Sequence, residues 1–179
     1  KITIMLTLEQ EKWIAHLSDE NKISIVPFDP TAEEKFQRVK QRIQDAVGKE
    51  ISVEHRGATS LGISGQDEID VYIPIPSAKF NLLIEPLKNI FGEPRSLYSL
   101  ERARFVTEEE GKHVDIFLIN AEHDGWKNAI KFETYLRSHS EVLEKYQQLK
   151  ENGDGLSVRE YYRRKTEFIN EILSKAANS

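Results

Sequence analysis

The chain has 179 residues, of which 39% are hydrophobic and 31% charged, and its net charge at pH 7 is −5. This is enough for one ordinary core, and no apolar run approaches the roughly 20 residues of a membrane span. The absence of Cys excludes disulfides, thiolate nucleophiles and Cys-based zinc sites, and the acidic balance argues against broad, non-specific binding of nucleic acid. The first seven residues are too short and too poorly flanked for a signal peptide, so we expect a cytoplasmic protein.

The N-terminal part of the sequence predicts two helices separated by an extended segment. Thr7 opens a capping box, which predicts a helix over residues 8–17. Residues 22–26 form a short apolar strand or extended arm that ends at Pro27. A second capping-box pattern starts at Thr31, and the helix that it predicts ends at Gly48.

From residue 51 to residue 120, apolar runs alternate with turn residues, which indicates strands. After Asn120 the apolar spacing becomes helical throughout. The predicted strands are 51–55, 69–75, 97–98, 103–106 and 112–119, with a helical turn within 57–66 and a helix over Ser77–Phe91. The predicted C-terminal helices are 126–138, 141–150 and 158–175, the last of them capped by Ser157.

These elements predict a single α/β domain over residues 1–179, with a mixed β-sheet core flanked by helices. We expect an N-terminal helix in residues 1–20, an α/β core in residues 21–120 and a C-terminal helical layer in residues 121–179.

Three carboxylates on predicted strands are the strongest chemical signal. Glu68 and Asp70 are one residue apart and so project from the same face, and Asp115 lies in the strand over residues 112–119. A carboxylate on a buried strand needs compensation because desolvating its charge is costly. Bound Mg²⁺ would supply that compensation and could align a triphosphate. The alternative is that these acids face water at strand ends or pair with Arg102 and Arg104.

A Gly-containing turn precedes the paired acids. Its residues are Gly57, Ala58, Thr59 and Ser60. Gly allows a phosphate to approach the backbone closely, and hydroxyl and N–H groups can donate to the phosphate oxygens. Alone, this segment would be an ordinary turn. Its short separation from Glu68 allows the two to line one crevice, which indicates a phosphate site.

Basic residues offer further contacts for phosphate. Arg102 and Arg104 lie on a core strand, and Lys150 and Lys165 lie on the predicted C-terminal helices. Each is a candidate for gripping phosphate oxygens across a cleft, although most surface Lys and Arg have no such role.

Two histidines and two aromatic residues lie near these groups. His113 is two residues before Asp115 and shares its face, so it could be a metal ligand or an acid–base group, but a structural role is commoner for such a histidine. His55 is interpreted as a brace for the Gly57 turn. Trp126 and Tyr135 are predicted core residues of the helical layer, with stacking on a nucleobase as the alternative.

In these residues the chain resembles the GrpB family, a group of small proteins related to the nucleotidyltransferase superfamily. The resemblance covers residues 22–174, and its parts are specific in combination rather than singly. The segments that carry it are residues 25–30 with Phe36, residues 55–60, Ile69 with Asp70, residues 132–139, Tyr146, residues 149–150, and Tyr162 with Lys165 and residues 168–169.

The resemblance implies a nucleotidyltransferase fold, in which strand carboxylates bind two Mg²⁺ ions and a nucleotidyl group passes from an NTP to an acceptor. Under it, Asp70 bridges both ions, Glu68 holds one or both, and Asp115 holds the catalytic ion and helps to deprotonate the acceptor. The Gly57 turn corresponds to the superfamily's Gly-Ser turn, so Thr59 and Ser60 would hold the β- and γ-phosphates.

The chain departs from the family pattern in both directions. Ala58 stands where the superfamily has Ser directly after the Gly, which leaves phosphate contact to Thr59 or Ser60. Glu68 and Asp115 are acids at positions where many GrpB-like chains have none.

The sequence therefore predicts a Mg²⁺-dependent nucleotidyltransferase, with Mn²⁺ as an alternative ion and with an NTP and an acceptor of undefined class as partners. One alternative is a nucleotide- or phosphometabolite-binding module without catalysis. Another is a partner-binding protein with an exposed apolar groove near Trp126 or Tyr135.

Overall fold

The computed structural model describes residues 5–179, which divide into two compact units. The sheet unit comprises Phe28–Ile63 and Asp67–Lys127. The helical unit takes in the chain up to Pro27, together with Ser64–Gln66 and Asn128–Ser179. The single domain over all 179 residues stays a prediction. Residues 1–4, which belong to the predicted N-terminal segment, lie outside the described residues.

The described part of the chain contains seven α-helices and five β-strands. In chain order they are α1 (Leu8–Ala15), α2 (Ala32–Val47), β1 (Glu54–Arg56), α3 (Gly57–Leu61), β2 (Glu68–Ile75), α4 (Ser77–Phe91), β3 (Ser96–Tyr98), β4 (Arg102–Glu109), β5 (Lys112–Asn120), α5 (Asp124–Ser138), α6 (Ser140–Asn152) and α7 (Val158–Ala177).

The strands of the sheet unit form one mixed sheet in the order β1-β2-β5-β4-β3. Strands β2 and β5 are parallel neighbours at its centre, and the other pairs are antiparallel. The parallel pair requires a crossover connection, which contains α4 and the β3–β4 hairpin. The predicted mixed sheet flanked by helices is confirmed.

The core of the sheet unit lies on one face of this sheet. Side chains of β2 alternate strictly between buried and half-buried positions, because successive strand residues point to opposite faces. Helices α2 and α4 contribute Phe36, Val39 and Phe80 to the same apolar cluster. We call the sheet surface within this cluster the core face; it consists of Ile69, Val71, Ile73, Ile75, Ala103, Phe105, Val114, Ile116 and Leu118.

The ends of the elements show which local signals were decisive. The predicted helix Ser77–Phe91 and the capping box at Thr7 are both confirmed. The capping box at Thr31 is wrong, since the Thr31 side chain does not cap α2 and its hydroxyl instead donates to Asp29 at 2.6 Å. Residues 22–26 form the extended arm of the two predicted alternatives, with isolated bridges at Lys22 and Val26.

The helical unit holds α1, most of α5, and α6 and α7. Reciprocal side-chain hydrogen bonds join Gln10 of α1 to Asn170 of α7, and Trp13 packs edge-on against Tyr162. Ser157 caps α7 by accepting from the Glu160 N–H, as its position predicts. In the described range, none of the helices has the length and apolar character required to cross a membrane.

Candidate functional site

The sheet surface opposite the core face carries the charged residues that the sequence singles out. The half-buried positions of β2 lie on this surface, and the register places β5 residues of the same parity beside them. Residues of β1 and β4 extend it on either side. We call it the polar face; its members are Glu54, Arg56, Glu68, Asp70, Tyr72, Arg102, Arg104, Glu108, His113, Asp115 and Phe117.

Asp115 is the most deeply placed acid of the polar face, with 6% of its surface exposed. Arg104 Nε donates to Asp115 Oδ1 at 2.8 Å, and His113 Nε2 lies 3.2 Å from the same oxygen. A buried carboxylate requires a cationic or hydrogen-bonding partner because its desolvation is costly. The pairing with Arg104 that the sequence left open as an alternative is therefore present.

A set of three ligand atoms converges beside this pair. Within residues 5–179, Glu68, His113 and Asp115 each offer one oxygen or nitrogen atom, and these atoms lie within 4.8 Å of one another. The parallel register explains the convergence. Glu68 is aligned with His113, and Asp115 is the next residue of β5 on the same face. Two carboxylates and an imidazole form a donor set that fits a divalent metal ion.

The sequence expectation for this set was Glu68, Asp70 and Asp115. His113 takes the place of Asp70 in the group that converges. The spacing of two residues between His113 and Asp115 could have identified His113, because residues at this spacing share a face of a strand. A structural role was nevertheless preferred, because it is commoner for such a histidine.

Asp70 is aligned with Asp115 in the sheet, but its carboxylate lies against the Gly57 turn. A Cβ atom placed on Gly57 would come within 2.2 Å of Asp70 Oδ2. Gly57 also has φ +74°, a conformation that side chains disfavour. The turn and the paired acids are thus adjacent, as predicted, and Gly57 is required both by its backbone conformation and by the close approach of Asp70.

The hydroxyl groups after Gly57 have partners within the turn. Ser60 Oγ donates to the Gly57 carbonyl at 2.8 Å, and Thr59 Oγ1 lies 2.8 Å from His55 Nε2. His55 Nδ1 in turn lies 2.7 Å from a carboxylate oxygen of Glu33. These contacts agree with the interpretation of His55 as a brace. Ala58 lies in α3 between Gly57 and these two residues. Binding of phosphate by Ala58, Thr59 and Ser60 stays a prediction.

The electrostatics of this brace favour an ionised Glu33. Burial raises the pKa of Glu33, but hydrogen bonds from Gln37 and His55 together outweigh it, so the pKa lies below its ordinary value. The ring of His55 stacks on Phe36 at a centroid distance of 4.8 Å, which places the brace on the core side of the sheet.

Aromatic residues support the guanidinium groups of the polar face. The Arg102 guanidinium lies 5.5 Å from the ring centre of Tyr98 and 5.8 Å from that of Phe117. Arg56 lies 5.2 Å from the ring centre of Trp126 and donates to Glu54 at 2.6 Å. Cation–π contacts of this kind hold a guanidinium in place without consuming all of its hydrogen-bond donors.

The predicted aromatic residues of the helical layer have different surroundings. Trp126 belongs to the sheet unit, is 5% exposed and packs against Tyr72 at a centroid distance of 5.6 Å. Tyr135 is half-buried in the helical unit and stacks on His139 at 3.9 Å. Trp126 is thus buried, as predicted for a core residue, but it packs within the sheet unit, because the first turn of α5 belongs to that unit.

The two predicted phosphate-binding lysines belong to the helical unit. Lys150 is 4% exposed, and its Nζ lies 3.4 Å from Tyr161 Oη and 4.9 Å from the ring centre of Tyr146. Lys165 Nζ lies 5.4 Å from the ring centre of Tyr162. The burial of Lys150 leaves little of its amine for a ligand to reach, and phosphate binding by either lysine stays a prediction.

Comparison with known proteins places the chain in a family. No curated protein matches the chain in sequence. The solved structure of the conserved protein GrpB from Enterococcus faecalis matches with a TM-score of 0.68 and 21% identity over 86% of this chain and 97% of that one, so the two share a fold. A cytoplasmic RNA terminal U-transferase matches with a TM-score of only 0.38 and 17% identity over 73% of this chain and 43% of its own, and we draw nothing about activity from it. A family model described as GrpB protein matches residues 22–175, and the chain therefore belongs to the GrpB family.

Proposed function

We propose that the polar face binds a divalent metal ion with a nucleoside triphosphate and transfers a nucleotidyl group to an acceptor hydroxyl, so that the α-phosphorus bonds to the acceptor oxygen as its bond to pyrophosphate breaks. The observation that carries the proposal is the convergence of Glu68, His113 and Asp115 within 4.8 Å, next to Asp70 and the Gly57 turn. Metal ligands and a Gly-containing phosphate turn are two parts that recur in sites of phosphoryl transfer.

The acids of the polar face have separate roles in this proposal. Glu68 and Asp115 would hold a divalent ion, Mg²⁺ or Mn²⁺, and Asp70, which is aligned with Asp115 and lies against Gly57, would serve a second ion. Such ions neutralise phosphate charge and polarise the reacting phosphoryl group when they are bound. Asp115 would also help to deprotonate the acceptor hydroxyl.

The charge balance of the polar face supports the requirement for metal. The face has two more carboxylates than guanidinium groups, so without a metal ion it carries a negative charge. A triphosphate carries several negative charges and would be repelled by such a surface. One divalent ion cancels this excess, after which Arg102 and Arg104 can attract the phosphates. We therefore expect NTP binding to depend on metal.

The first test is binding. Unfolding temperature is measured with each of the four NTPs, with and without Mg²⁺ or Mn²⁺. An upward shift that requires both metal and one particular NTP is the expected result, because a ligand that binds only the folded state stabilises it. Equal shifts with and without metal would contradict the metal-dependent site.

The second test is turnover, measured as metal-dependent release of pyrophosphate. Asp70→Asn should lower it by about a hundredfold or more, because a charge that stabilises the transition state is lost. Glu93→Gln is the control, since Glu93 is an exposed acid that pairs with Lys88 away from the polar face. Full turnover by Asp70→Asn would refute the mechanism.

A second candidate function is a nucleotide- or phosphometabolite-binding module without catalysis. The observation that favours it is the pairing of Asp115 with Arg104, which already neutralises the acid assigned to catalysis. Ala58 in place of Ser weakens the phosphate turn in the same direction. Calorimetric binding of an NTP without pyrophosphate release would select the module over the transferase. The burial of Trp126 removes one of the two places where a partner-binding protein would expose an apolar groove.

A further inference from the structure

We infer that the metal site on the polar face is a transition-metal site with His113 as a ligand and Arg104 as a built-in competitor for the metal. It should bind Mn²⁺ or Zn²⁺ in preference to Mg²⁺. The inference adopts the metal site of the proposed function and names the class of its ion, but it does not depend on nucleotidyl transfer.

The nitrogen of His113 determines the preference. His113 lies on β5 with 43% of its side chain exposed, so its ring is accessible to an ion from solvent. Its Nε2 lies 3.2 Å from Asp115 Oδ1, and it belongs to the same converging group as Glu68. Mg²⁺ takes oxygen ligands and keeps its waters, whereas imidazole suits Zn²⁺ and its transition-metal neighbours. Three strand carboxylates would favour Mg²⁺, whereas replacing one of them by an imidazole favours Zn²⁺ most strongly and Mn²⁺, a transition metal of lower nitrogen affinity, less strongly.

Arg104 occupies the position of a cation at this site. Its Nε donates at 2.8 Å to the same Asp115 oxygen that His113 approaches. Asp115 is nearly buried and requires a positive partner, which Arg104 supplies in the described structure. A metal ion at Oδ1 would supply the same compensation, so the ion and the guanidinium compete for one oxygen.

Competition at Asp115 couples metal loading to anion binding. The Arg104 side chain is 38% exposed, so it can leave the carboxylate and become hydrated. Once released, it carries an uncompensated positive charge beside the loaded metal. A phosphate group is the complementary partner for a guanidinium in that position. Metal binding would therefore precede and promote phosphate binding.

The first experiment measures metal binding by the full chain without nucleotide. Mn²⁺ is titrated and the free ion is counted by electron paramagnetic resonance, with Mg²⁺ and Zn²⁺ as competitors. The wild type should bind Mn²⁺ and Zn²⁺ at least about tenfold more tightly than Mg²⁺. His113→Ala should weaken Mn²⁺ binding by about tenfold or more, since even residues behind the ligands contribute that much. Mg²⁺ binding should change far less, so the ratio of the two affinities falls.

His123→Ala is the matched control. His123 has the same exposed fraction as His113, 43%, and its Nε2 lies 3.9 Å from a carboxylate oxygen of Glu101. It stands outside the converging group, so its substitution should leave Mn²⁺ binding unchanged. Circular dichroism confirms that both variants fold.

The second experiment removes the competitor. Arg104→Met should raise Mn²⁺ affinity by about threefold or more, because the ion no longer displaces a guanidinium. Arg42→Met is the control, since Arg42 lies on α2 and pairs with Glu109. If Arg104→Met destabilises the fold by leaving Asp115 without its cation, added Mn²⁺ should restore the unfolding temperature more than it raises that of the wild type.

Three outcomes would overturn the inference: no Mn²⁺ binding by the wild type, a Mn²⁺-to-Mg²⁺ preference that His113→Ala leaves intact, or an Arg104→Met variant whose Mn²⁺ affinity is unchanged or lower. Because nucleotide is absent, these results are separate from those on turnover. Pyrophosphate release with an unchanged preference in His113→Ala would refute only this inference. Mn²⁺ binding through His113 without any turnover would refute only the proposed transferase.

Discussion

The two faces of the sheet are built from the same strands and have opposite chemistry. Ile69 and Val71 on the core face are fully buried among apolar side chains. Their neighbours Glu68 and Asp70 face the other way and carry charge. A surface that is only exposed to solvent needs no acid as deeply buried as Asp115. Asp115 is also aligned with a second acid, Asp70, in the adjacent strand. The comparison supports the proposal that the polar face binds a ligand, since buried charge of this kind lowers stability and is found mainly at functional sites.

This difference predicts how the two faces respond to substitution. On the core face, removing atoms leaves a cavity, and the free energy of unfolding should fall. On the polar face, removing a charge also removes repulsion and desolvation, so stability should change little while ligand binding is lost. The following four substitutions test this difference, in order of their expected effect on stability.

The largest effect is expected from Ile116→Ala on the core face. Ile116 is fully buried at the centre of β5, so its truncation should lower the free energy of unfolding by about 2–5 kcal/mol. Urea denaturation measures the change. Ile116→Val is the graded control and should cost about 0.5–1.5 kcal/mol. Equal losses for the two variants would contradict close packing on this face.

Gly57→Ala tests the place where the polar face meets α3. The positive φ of Gly57 costs about 1–2 kcal/mol for Ala, and the clash with Asp70 should add a further loss, for about 2–3 kcal/mol in total. Gly111→Ala is a matched control, because Gly111 has φ +76° but a Cβ there meets no atom within 4 Å. The difference between the two variants measures the Asp70 contact, and equal losses would show that Gly57 is needed for its backbone alone.

A smaller, pH-dependent effect is expected at the rim of the core face. The hydrogen bond from Thr31 and then that from Lys35 hold the pKa of Asp29 well below its usual range, and the Nζ of buried Lys112 lies 3.6 Å away. Asp29→Asn should therefore lower the free energy of unfolding at pH 7 by about 1–2 kcal/mol.

The sign of the pH dependence follows from the lowered pKa. The Asp29 carboxylate stabilises the fold above its unfolded pKa of about 3.9, and this stabilisation is lost as pH falls toward the folded value. Unfolding measured at pH 7, 5 and 3 should show a constant difference between wild type and Asp29→Asn that shrinks only below about pH 4. A difference that stays the same down to pH 3 would contradict this reading. Asp45→Asn, at an exposed acid of α2, should change little at any of these values.

The smallest change in stability is expected from Asp115→Asn on the polar face. Arg104 is partly exposed and can be hydrated when its partner is neutral, and repulsion from the neighbouring acids is relieved. The free energy of unfolding should change by less than about 1 kcal/mol, in either direction. Binding of Mn²⁺ should be lost in the same variant. A loss of more than about 3 kcal/mol would make the Asp115–Arg104 pair structural and would remove the contrast between the two faces.

Local signals in the sequence predicted most elements of the fold. The helix Ser77–Phe91 was predicted at both ends because its apolar spacing lies between Pro76 and Gly92. Strand β2 was predicted because its residues alternate in polarity with a period of two. Thr31 shows the limit of such signals, since its hydroxyl bonds to Asp29 two residues earlier instead of capping the helix.

The sequence by itself determined that Glu68 and Asp70 share a face and that Gly57 stands close to them along the chain. Both facts follow from strand geometry and short separation, which need no knowledge of other elements. Only the tertiary structure decided that His113 joins Glu68 and Asp115, that Arg104 takes the Asp115 oxygen, and that Asp70 turns to Gly57. These contacts join strands that are distant in sequence, and their partners are set by the register of the sheet, which the sequence of any one strand leaves open.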